Sequence, residues 1–333
     1  MITLPVLALG ASAVLADLVG WGHQWGSLAI LMAVFFGLRE MGDAGWRRLL
    51  TAALVFSVFV AVLAVVQVWF VPRSRGPFAS PNTLGAFAVL MFFLAVACVP
   101  EGGLLRVRDP VRFRAGAVAA NLLSLALSQS RGAILALGAG LAVLALRRPH
   151  ADRHDRIDAV AIIVVAAGAA WLMRPEIDPF RLHVWQWGWS IWMDRPLTGW
   201  GIGGVWVVNG GRYYSVPLEW AMQTGIIGLE AAAWLYVAAV RRAWDQPAML
   251  AFLAAWLVQG IFLFSIPATI IPFFAVLAYL DRPDREPALA EPVQAILLAR
   301  IRERSLARRP ASSPRASAGR WCARSAARQT TSQ

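Results

Sequence analysis

Lysine is missing from this 333-residue chain, cysteine occurs only twice, and charged residues make up 15% of it. Globular proteins in water carry about 25% charged residues, so the low charge argues against a soluble domain. Two cysteines are too few for a secreted disulfide scaffold, and an apolar fraction of 59% excludes disorder for most of the chain. A helical protein that crosses a membrane several times is the class that remains.

Arginine supplies all 31 basic residues, and the net charge is +12. A basic balance is also typical of proteins that bind nucleic acids. Here, however, the arginines lie between apolar segments and in the C-terminal tail, as in a membrane protein whose cytoplasmic loops are basic. We therefore predict membrane lipids, and no nucleic acid, as partners of the basic residues.

Apolar runs predict an all-α bundle of ten membrane spans, with both termini in the cytoplasm. With the N-terminus inside, 24 of the 31 arginines lie on the cytoplasmic side, as the positive-inside tendency requires. The predicted spans cover residues 2–20, 25–38, 49–71, 82–99, 115–129, 132–146, 157–173, 217–240, 248–264 and 267–280.

The composition changes after the last span. Residues 1–280 are predicted to form the transmembrane domain, and residues 281–333 a basic cytoplasmic tail that is partly disordered. Residues 293–306 of this tail are predicted to form a short helix at the lipid surface.

Residues 115–146 are interpreted as two short helices that meet at an outer hairpin. A single span would place the arginines of residues 147–156 outside the cell, against the positive-inside tendency. Because both helices are short, we expect the hairpin to lie below the membrane surface. Arg131, at its tip, would then occupy a protected site.

The longest polar segment between spans is an outer loop, residues 174–216. Trp185, Trp189 and Trp192 follow helical spacing and predict a helix with one aromatic face in the membrane interface. This helix is either a simple anchor or a platform beside a lipid-facing active site. The glycines of residues 199–204 lack the strand that precedes a dinucleotide loop, so we expect a tight turn whose backbone amides face an anion.

Four segments, taken in order, resemble the O-antigen ligase and polymerase family of bacterial membrane glycosyltransferases. The first contains Ser-Pro-Asn followed by an apolar run, the second is Ser-Arg-Gly-Ala, the third runs from an arginine to Trp-Gly-Ile-Gly, and the fourth begins Leu-Glu. They are residues 78–85, 130–133, 181–203 and 218–229, within a matching region of about residues 72–230.

The resemblance implies an enzyme at the outer face of the bacterial inner membrane. Such an enzyme moves a glycan from a polyprenyl-diphosphate carrier to an acceptor glycan or to lipid A-core. It implies no cofactor and no metal ion. The sequence contains no His-Glu-x-x-His motif and no phosphate-binding loop.

Arginines on the outer side are the main candidates for binding the diphosphate. Arginine stabilises a developing negative charge through forked, charge-assisted hydrogen bonds. Arg131 is the strongest candidate, with a structural ion pair as the alternative, and Arg181 is the second. Arg195 is interpreted as a cap of the interfacial helix. Five further residues are weaker candidates for binding substrate. Exposed arginines are usually only solvated, and the other two residues are candidates only because they belong to the motifs. The five are Arg73, Arg75, Asn82, Trp185 and Arg212.

The chain departs from the family pattern where the family has a histidine. Tyr214 stands at that position in an ungapped alignment. A tyrosine, with a pKa of about 10, is a poor base at neutral pH but can hydrogen-bond a sugar. His183 and Glu219 are alternatives for positioning the acceptor hydroxyl. Glu230 is expected to share the face of Glu219, three helical turns away.

Two other functions stay open at the level of sequence. One is a transporter, since some relatives of the family have been linked to inorganic-carbon uptake. The other is a catalytically inactive membrane protein with the same architecture.

Overall fold

The computed structural model describes residues 2–4, 6–8, 11, 25–78, 80–97, 110–147, 153–173, 179–201, 215–263 and 267–282. In these ranges all regular structure is helical. The ten long helices of this part of the chain are α1 (Trp25–Arg39), α2 (Asp43–Val68), α3 (Pro81–Ala97), α4 (Pro110–Ser128), α5 (Arg131–Leu146), α6 (Arg153–Met173), α7 (Pro179–Asp194), α8 (Val216–Arg242), α9 (Pro247–Phe262) and α10 (Pro267–Leu280).

Proline is the first residue of five of these helices, α3, α4, α7, α9 and α10. Its fixed φ suits the first helical position, and the N–H that it lacks would have no partner there. The sequence therefore marks these helix starts locally, without help from distant contacts.

Nine of the ten predicted apolar segments coincide with helices α1–α6 and α8–α10, with shifts of a few residues at their ends. The first, residues 2–20, lies mostly outside the described residues. α2 and α8 are long and apolar enough to cross a membrane, and α3, α5, α9 and α10 are shorter apolar helices of 14 to 17 residues. The predicted helix of the outer loop is also present, as α7.

α3 forms the centre of the bundle. Every residue from Thr83 to Ala95 is buried, because α3 packs against α2, α4, α5, α9 and α10. α5 packs against α3, α6 and α9 through small residues. A Cβ atom on its Gly140 would lie 2.9 Å from the carbonyl oxygen of Ala251 in α9 and would overlap the Phe93 ring in α3. Such small residues allow helices to approach closely, as in membrane bundles.

The outer faces of α2 and α6 are apolar and exposed. They carry Val55, Phe56, Phe59, Val62 and Val66 in α2, and Ile157, Val160, Ile163, Val164 and Val165 in α6. Contiguous exposed apolar surface of this kind is unusual for a protein in water. It suits contact with lipid.

Ion pairs connect the ends of α1, α2 and α10. The Asp281 carboxylate accepts hydrogen bonds from the Ile2 backbone N–H at 2.8 Å and from the Thr3 hydroxyl. Arg39 Nε donates to the Asp281 carbonyl at 3.3 Å, and Arg282 Nη1 lies 2.7 Å from Asp43 Oδ1. Asp281 and Arg282 are both buried, so the first two residues of the predicted tail belong to the packed bundle. The rest of the tail, with its predicted helix 293–306, lies outside the described residues.

Candidate functional site

The hairpin tip, residues 128–131, joins α4 to α5 through only two residues. Gln129 has φ = 49°, in the left-handed region that side chains larger than glycine seldom adopt. This conformation reverses the chain between the two helices. The predicted break at Ser130-Arg131 is therefore confirmed, and α4 and α5 form a helical hairpin.

Arg73 holds the hairpin tip. Its Nε and Nη2 donate to the Ser128 carbonyl at 3.3 and 3.2 Å, and Nη2 also donates to the Gln129 carbonyl at 3.2 Å and to Asn82 Oδ1 at 3.3 Å. Hydrogen bonds from a charged donor are stronger than neutral ones. Arg73 is therefore more than a solvated loop arginine, because its guanidinium joins the start of α3 to the hairpin tip. Its weaker predicted role in binding substrate stays a prediction.

The start of α3 packs directly against the same tip. A Cβ atom on Gly85 would lie 2.7 Å from both Ser128 Oγ and Ser130 Cβ, so only glycine allows this approach. The first two motif segments, far apart in sequence, are thus neighbours in the fold.

Gln67, near the end of α2, supports the loop that carries Arg73. Its Oε1 accepts from the Ser74 hydroxyl at 3.2 Å and from the Arg75 N–H at 3.1 Å, and its Nε2 donates to the Gly76 carbonyl at 2.6 Å. The Arg75 side chain is exposed. Gln67 was not among the predicted site residues, although a lone amide in an otherwise apolar run is a signal that the sequence contains.

Arg131 is the first residue of α5 and is half-buried. The preceding residue, Ser130, is buried, and its side chain makes no capping hydrogen bond to the helix. The amino end of a helix favours anions through its aligned peptide dipoles. Arginine and helix end together give the hairpin tip a positive electrostatic character.

α7 packs against α8 through a face that the sequence analysis did not identify. Val184, Gly188 and Ile191 are its buried positions, and Val184 and Ile191 cluster with Met222 of α8. The predicted aromatic face lies beside this stripe. Its Trp189 is 56% exposed and meets Trp192 edge-on, with ring centroids 4.8 Å apart.

α7 also carries three of the predicted site residues. Arg181 is half-buried and His183 is exposed. The indole N–H of Trp185 is buried without a hydrogen-bond partner. Tyr214 and Arg212 lie outside the described residues.

α8 is broken at Gly225, which has φ = 63° and ψ = −165°. Residues 195–201, the docking loop, pack into the break. The Ile226 N–H donates to the Pro196 carbonyl at 2.8 Å, and the N–H groups of Trp200 and Gly201 donate to the carbonyls of Met222 and Gln223 at 2.8 and 2.9 Å. Backbone groups released by the break are thus paired by the docking loop.

Two glycines make this contact possible. A Cβ atom on Gly199 (φ = 71°) would lie 2.6 Å from the Gln223 carbonyl oxygen, and one on Gly225 would overlap the Leu197 carbonyl. The expectation that the amides of this turn face an anion is wrong for residues 199–201, because all three donate to backbone carbonyls. Residues 202–204 lie outside the described part of the chain.

The structure also gives contacts of Arg195 and of the two acidic residues of α8. The Arg195 guanidinium carbon lies 4.2 Å from the centroid of the Trp200 ring, a cation–π contact within the docking loop. Glu219 is half-buried and accepts a hydrogen bond from Gln223 Nε2 at 3.3 Å. Glu230 is exposed and lies beyond the break. The prediction that it shares the face of Glu219 is wrong, because the break at Gly225 interrupts the helical phase.

The end of α9 connects the hairpin tip to the broken helix. A Cβ atom on Gly132 would lie 3.0 Å from Phe262 Cβ, and one on Gly260 would lie 3.5 Å from Val216 Cβ. The starts of α5 and α8 therefore flank the end of α9. The first and second motif segments are thus in contact, as are the third and fourth, and the end of α9 lies between the two pairs.

Comparisons with known proteins do not identify the chain. No protein-family model matches it, and no curated protein matches it significantly. Within the described ranges, no group of three or more His, Cys, Asp or Glu residues could hold a metal ion.

Proposed function

We propose that this protein is a polytopic glycan transferase of the bacterial inner membrane, with ten spans, both termini in the cytoplasm and the hairpin tip on the outer side. It moves a glycan from a polyprenyl-diphosphate carrier to an acceptor glycan or to lipid A-core. The observation that carries the proposal is that the end of α9 links two pairs of motif segments that are in contact, the first with the second and the third with the fourth, with Arg131 at the tip that Arg73 holds.

The chemistry of the transfer assigns the roles. An acceptor hydroxyl oxygen attacks the anomeric carbon, the bond from that carbon to the diphosphate oxygen breaks, and the hydroxyl proton passes to a base. Negative charge grows on the departing diphosphate, where Arg131 and Arg181 stabilise it most effectively if water is scarce. Glu219, His183 and Tyr214 are the proposed partners of the acceptor.

The position of Arg131 in the fold supports its proposed role in the transfer. Arg131 lies two residues after Gln129, whose carbonyl accepts a hydrogen bond from Arg73. It begins α5 directly after a connection of two residues, which is too short to move freely. A backbone held in this way limits the positions that the Arg131 guanidinium can take, and a charge that is placed in advance reorganises little during the reaction.

Reconstituted transfer tests the proposal. The purified protein receives a polyprenyl-diphosphate-linked repeat unit, with and without lipid A-core, and the products are resolved on a gel. We expect Arg131→Ala and Arg181→Ala to lower turnover at least about 100-fold, as removal of a charge-stabilising donor does. Arg156→Ala, which removes an exposed arginine of α6, is the matched control and should retain full turnover. Normal turnover of both site variants would disprove the diphosphate role.

The broken helix favours one alternative, a transporter. Discontinuous helices often form substrate and ion sites in transporters. In this chain, however, the carbonyls of Met222 and Gln223 at the break already accept hydrogen bonds from the docking loop. Uptake of labelled bicarbonate into proteoliposomes, with no consumption of the carrier-linked glycan, would favour the transporter.

A further inference from the structure

Gln129 at the hairpin tip has a backbone conformation that is unusual for a residue with a side chain. Its φ of 49° lies in the left-handed region, where a Cβ atom is crowded by the backbone. The other residues with positive φ in the described ranges are all glycines, Gly76, Gly199, Gly201 and Gly225. Within these ranges the chain thus uses glycine at four such positions and a larger residue at the hairpin tip.

The Gln129 side chain contributes little to the packing of the hairpin. It is exposed, whereas Ser128 and Ser130 on either side are buried. The backbone of Gln129 makes the contacts that shape the tip, since its N–H donates to the Ala126 carbonyl at 3.2 Å and its carbonyl accepts from Arg73 Nη2 at 3.2 Å. Within the described part of the chain, the side-chain amide has no hydrogen-bond partner.

Folding alone does not account for glutamine at position 129. Glycine would keep both backbone hydrogen bonds and would release the strain of the left-handed conformation. Strained backbone positions cluster at functional sites, where the strain belongs to the function. A contact between the exposed amide and a bound molecule explains why a side chain is present here.

The location of Gln129 identifies the part of the substrate that it can reach. It lies two residues before Arg131, and two residues span at most about 7 Å. The proposed function places the diphosphate of the carrier at Arg131. The anomeric carbon of the first sugar is bonded to an oxygen of that diphosphate, so this sugar is the part of the glycan closest to the hairpin tip.

The chemistry of the amide suits a sugar better than a diphosphate. A primary amide carries two N–H donors and one carbonyl acceptor, and a sugar hydroxyl both donates and accepts hydrogen bonds. Arg73 and Arg131 are cations, which attract the anionic diphosphate. The neutral amide beside them matches the neutral hydroxyls of the sugar.

We propose that Gln129 is a specificity-determining residue that hydrogen-bonds a hydroxyl of the donor's first sugar. This inference rests on the proposed function, because it needs the diphosphate at Arg131. Arg131 binds the part that every carrier has in common, whereas Gln129 distinguishes a carrier that bears a glycan from the bare carrier.

Binding of two probes to the full chain in lipid nanodiscs tests the proposal. The probes are polyprenyl diphosphate and the same carrier linked to a repeat unit, and a dissociation constant is measured for each. We expect Gln129→Gly to raise the dissociation constant of the glycan-linked carrier about three- to tenfold, as loss of one hydrogen bond does. The dissociation constant of polyprenyl diphosphate should change less than about twofold. Arg131→Ala should weaken the binding of both probes.

Two variants at position 129 separate recognition from folding. Gln129→Ala removes the amide but keeps a Cβ atom at positive φ, whereas Gln129→Gly removes both the amide and the strain. We expect both variants to lose the same affinity for the glycan-linked carrier, although Gln129→Gly should have the higher thermal midpoint.

The outcomes distinguish this inference from the proposed function. Wild-type affinity in both variants, or affinity that follows the thermal midpoint, would overturn the role of Gln129 and leave the proposed function standing. A wild-type protein that binds neither probe would contradict the proposed function, and the role of Gln129 with it.

Discussion

Arg73 shows how much a single side chain contributes to the geometry of this molecule. Its guanidinium binds two carbonyls of the hairpin tip and the Asn82 side chain at once. Only arginine offers several donors in one rigid plane. In the proposed transfer, Arg73 is therefore a positioning residue, which acts through the place it gives to Arg131.

Replacing Arg73 should impair transfer without removing substrate contacts. We expect Arg73→Ala to lower kcat about 100-fold, as misplacement of a reacting group by about 1 Å does, with KM for the acceptor within about twofold. Arg73→Lys should recover only part of the loss. Turnover measured in the reconstituted assay checks this.

The double variant separates positioning from general stability. If Arg73 acts through Arg131, then Arg73→Ala combined with Arg131→Ala should be no slower than Arg131→Ala alone, because residues that act as a unit are not additive. Multiplied losses in the double variant would show that the two residues act independently.

At the scale of elements, the break in α8 and the docking loop depend on each other. The loop pairs backbone groups that the break exposes, and backbone groups inside a membrane must be paired within the protein. Gly199 and Gly225 allow the two chains to touch. The contact holds the third motif segment, residues 181–203, against the fourth, residues 218–229.

Adding one methyl group at the break should separate the loop from the helix. We expect Gly225→Ala to lower the thermal midpoint and to make the docking loop sensitive to protease. Its conformation, φ = 63° and ψ = −165°, is adopted almost only by glycine and costs other residues about 1–3 kcal/mol, and the overlap with the Leu197 carbonyl adds to this. Unfolding followed in detergent, with proteolysis at residues 195–201, measures both effects.

Gly168 in α6 provides the control for this change. A Cβ atom there would meet nothing within 4 Å, and alanine stabilises a helix interior by about 0.5–1 kcal/mol relative to glycine. Gly168→Ala should therefore raise the midpoint slightly. A Gly225→Ala variant that behaves in the same way would show that the break is unimportant for stability.

At the scale of the whole molecule, Asp281 links the first residues of the chain to the end of the last described helix. Burial by itself would raise the pKa of its carboxyl group. Hydrogen bonds from the Thr3 hydroxyl and the Ile2 N–H outweigh burial and hold the pKa below its usual value. Because the folded-state pKa is lowered, the contribution of Asp281 to stability is present above about pH 4, the usual value of the free residue, and is lost as the pH falls through the folded-state pKa.

Removing this charge should therefore destabilise the protein in a way that depends on pH. We expect Asp281→Asn to unfold at a lower temperature than the wild type at pH 7, with a difference that narrows as the pH falls below about 4. Thermal unfolding in detergent between pH 7 and pH 3 measures this. Asp245→Asn, at an exposed position after α8, should leave the midpoint unchanged. A pH-independent difference for Asp281→Asn would contradict an electrostatic origin.

Local sequence accounts for the positions of the helices. Apolar runs and initial prolines favour a helix through residues that are close in sequence. For this reason nine predicted segments and the hairpin between α4 and α5 agree with the structure. The number of membrane crossings, their orientation and glycan transfer stay predictions.

The contacts of the motif residues, by contrast, depend on how distant parts of the chain pack together. Arg73 bonds Ser128, 55 positions away, and the turn around Gly199 uses its amides on α8. The regular helical spacing that would place Glu219 and Glu230 on one face does not hold, because α8 is broken at Gly225, where the docking loop packs. Contacts between distant segments fix these features, and local pattern carries no information about such contacts.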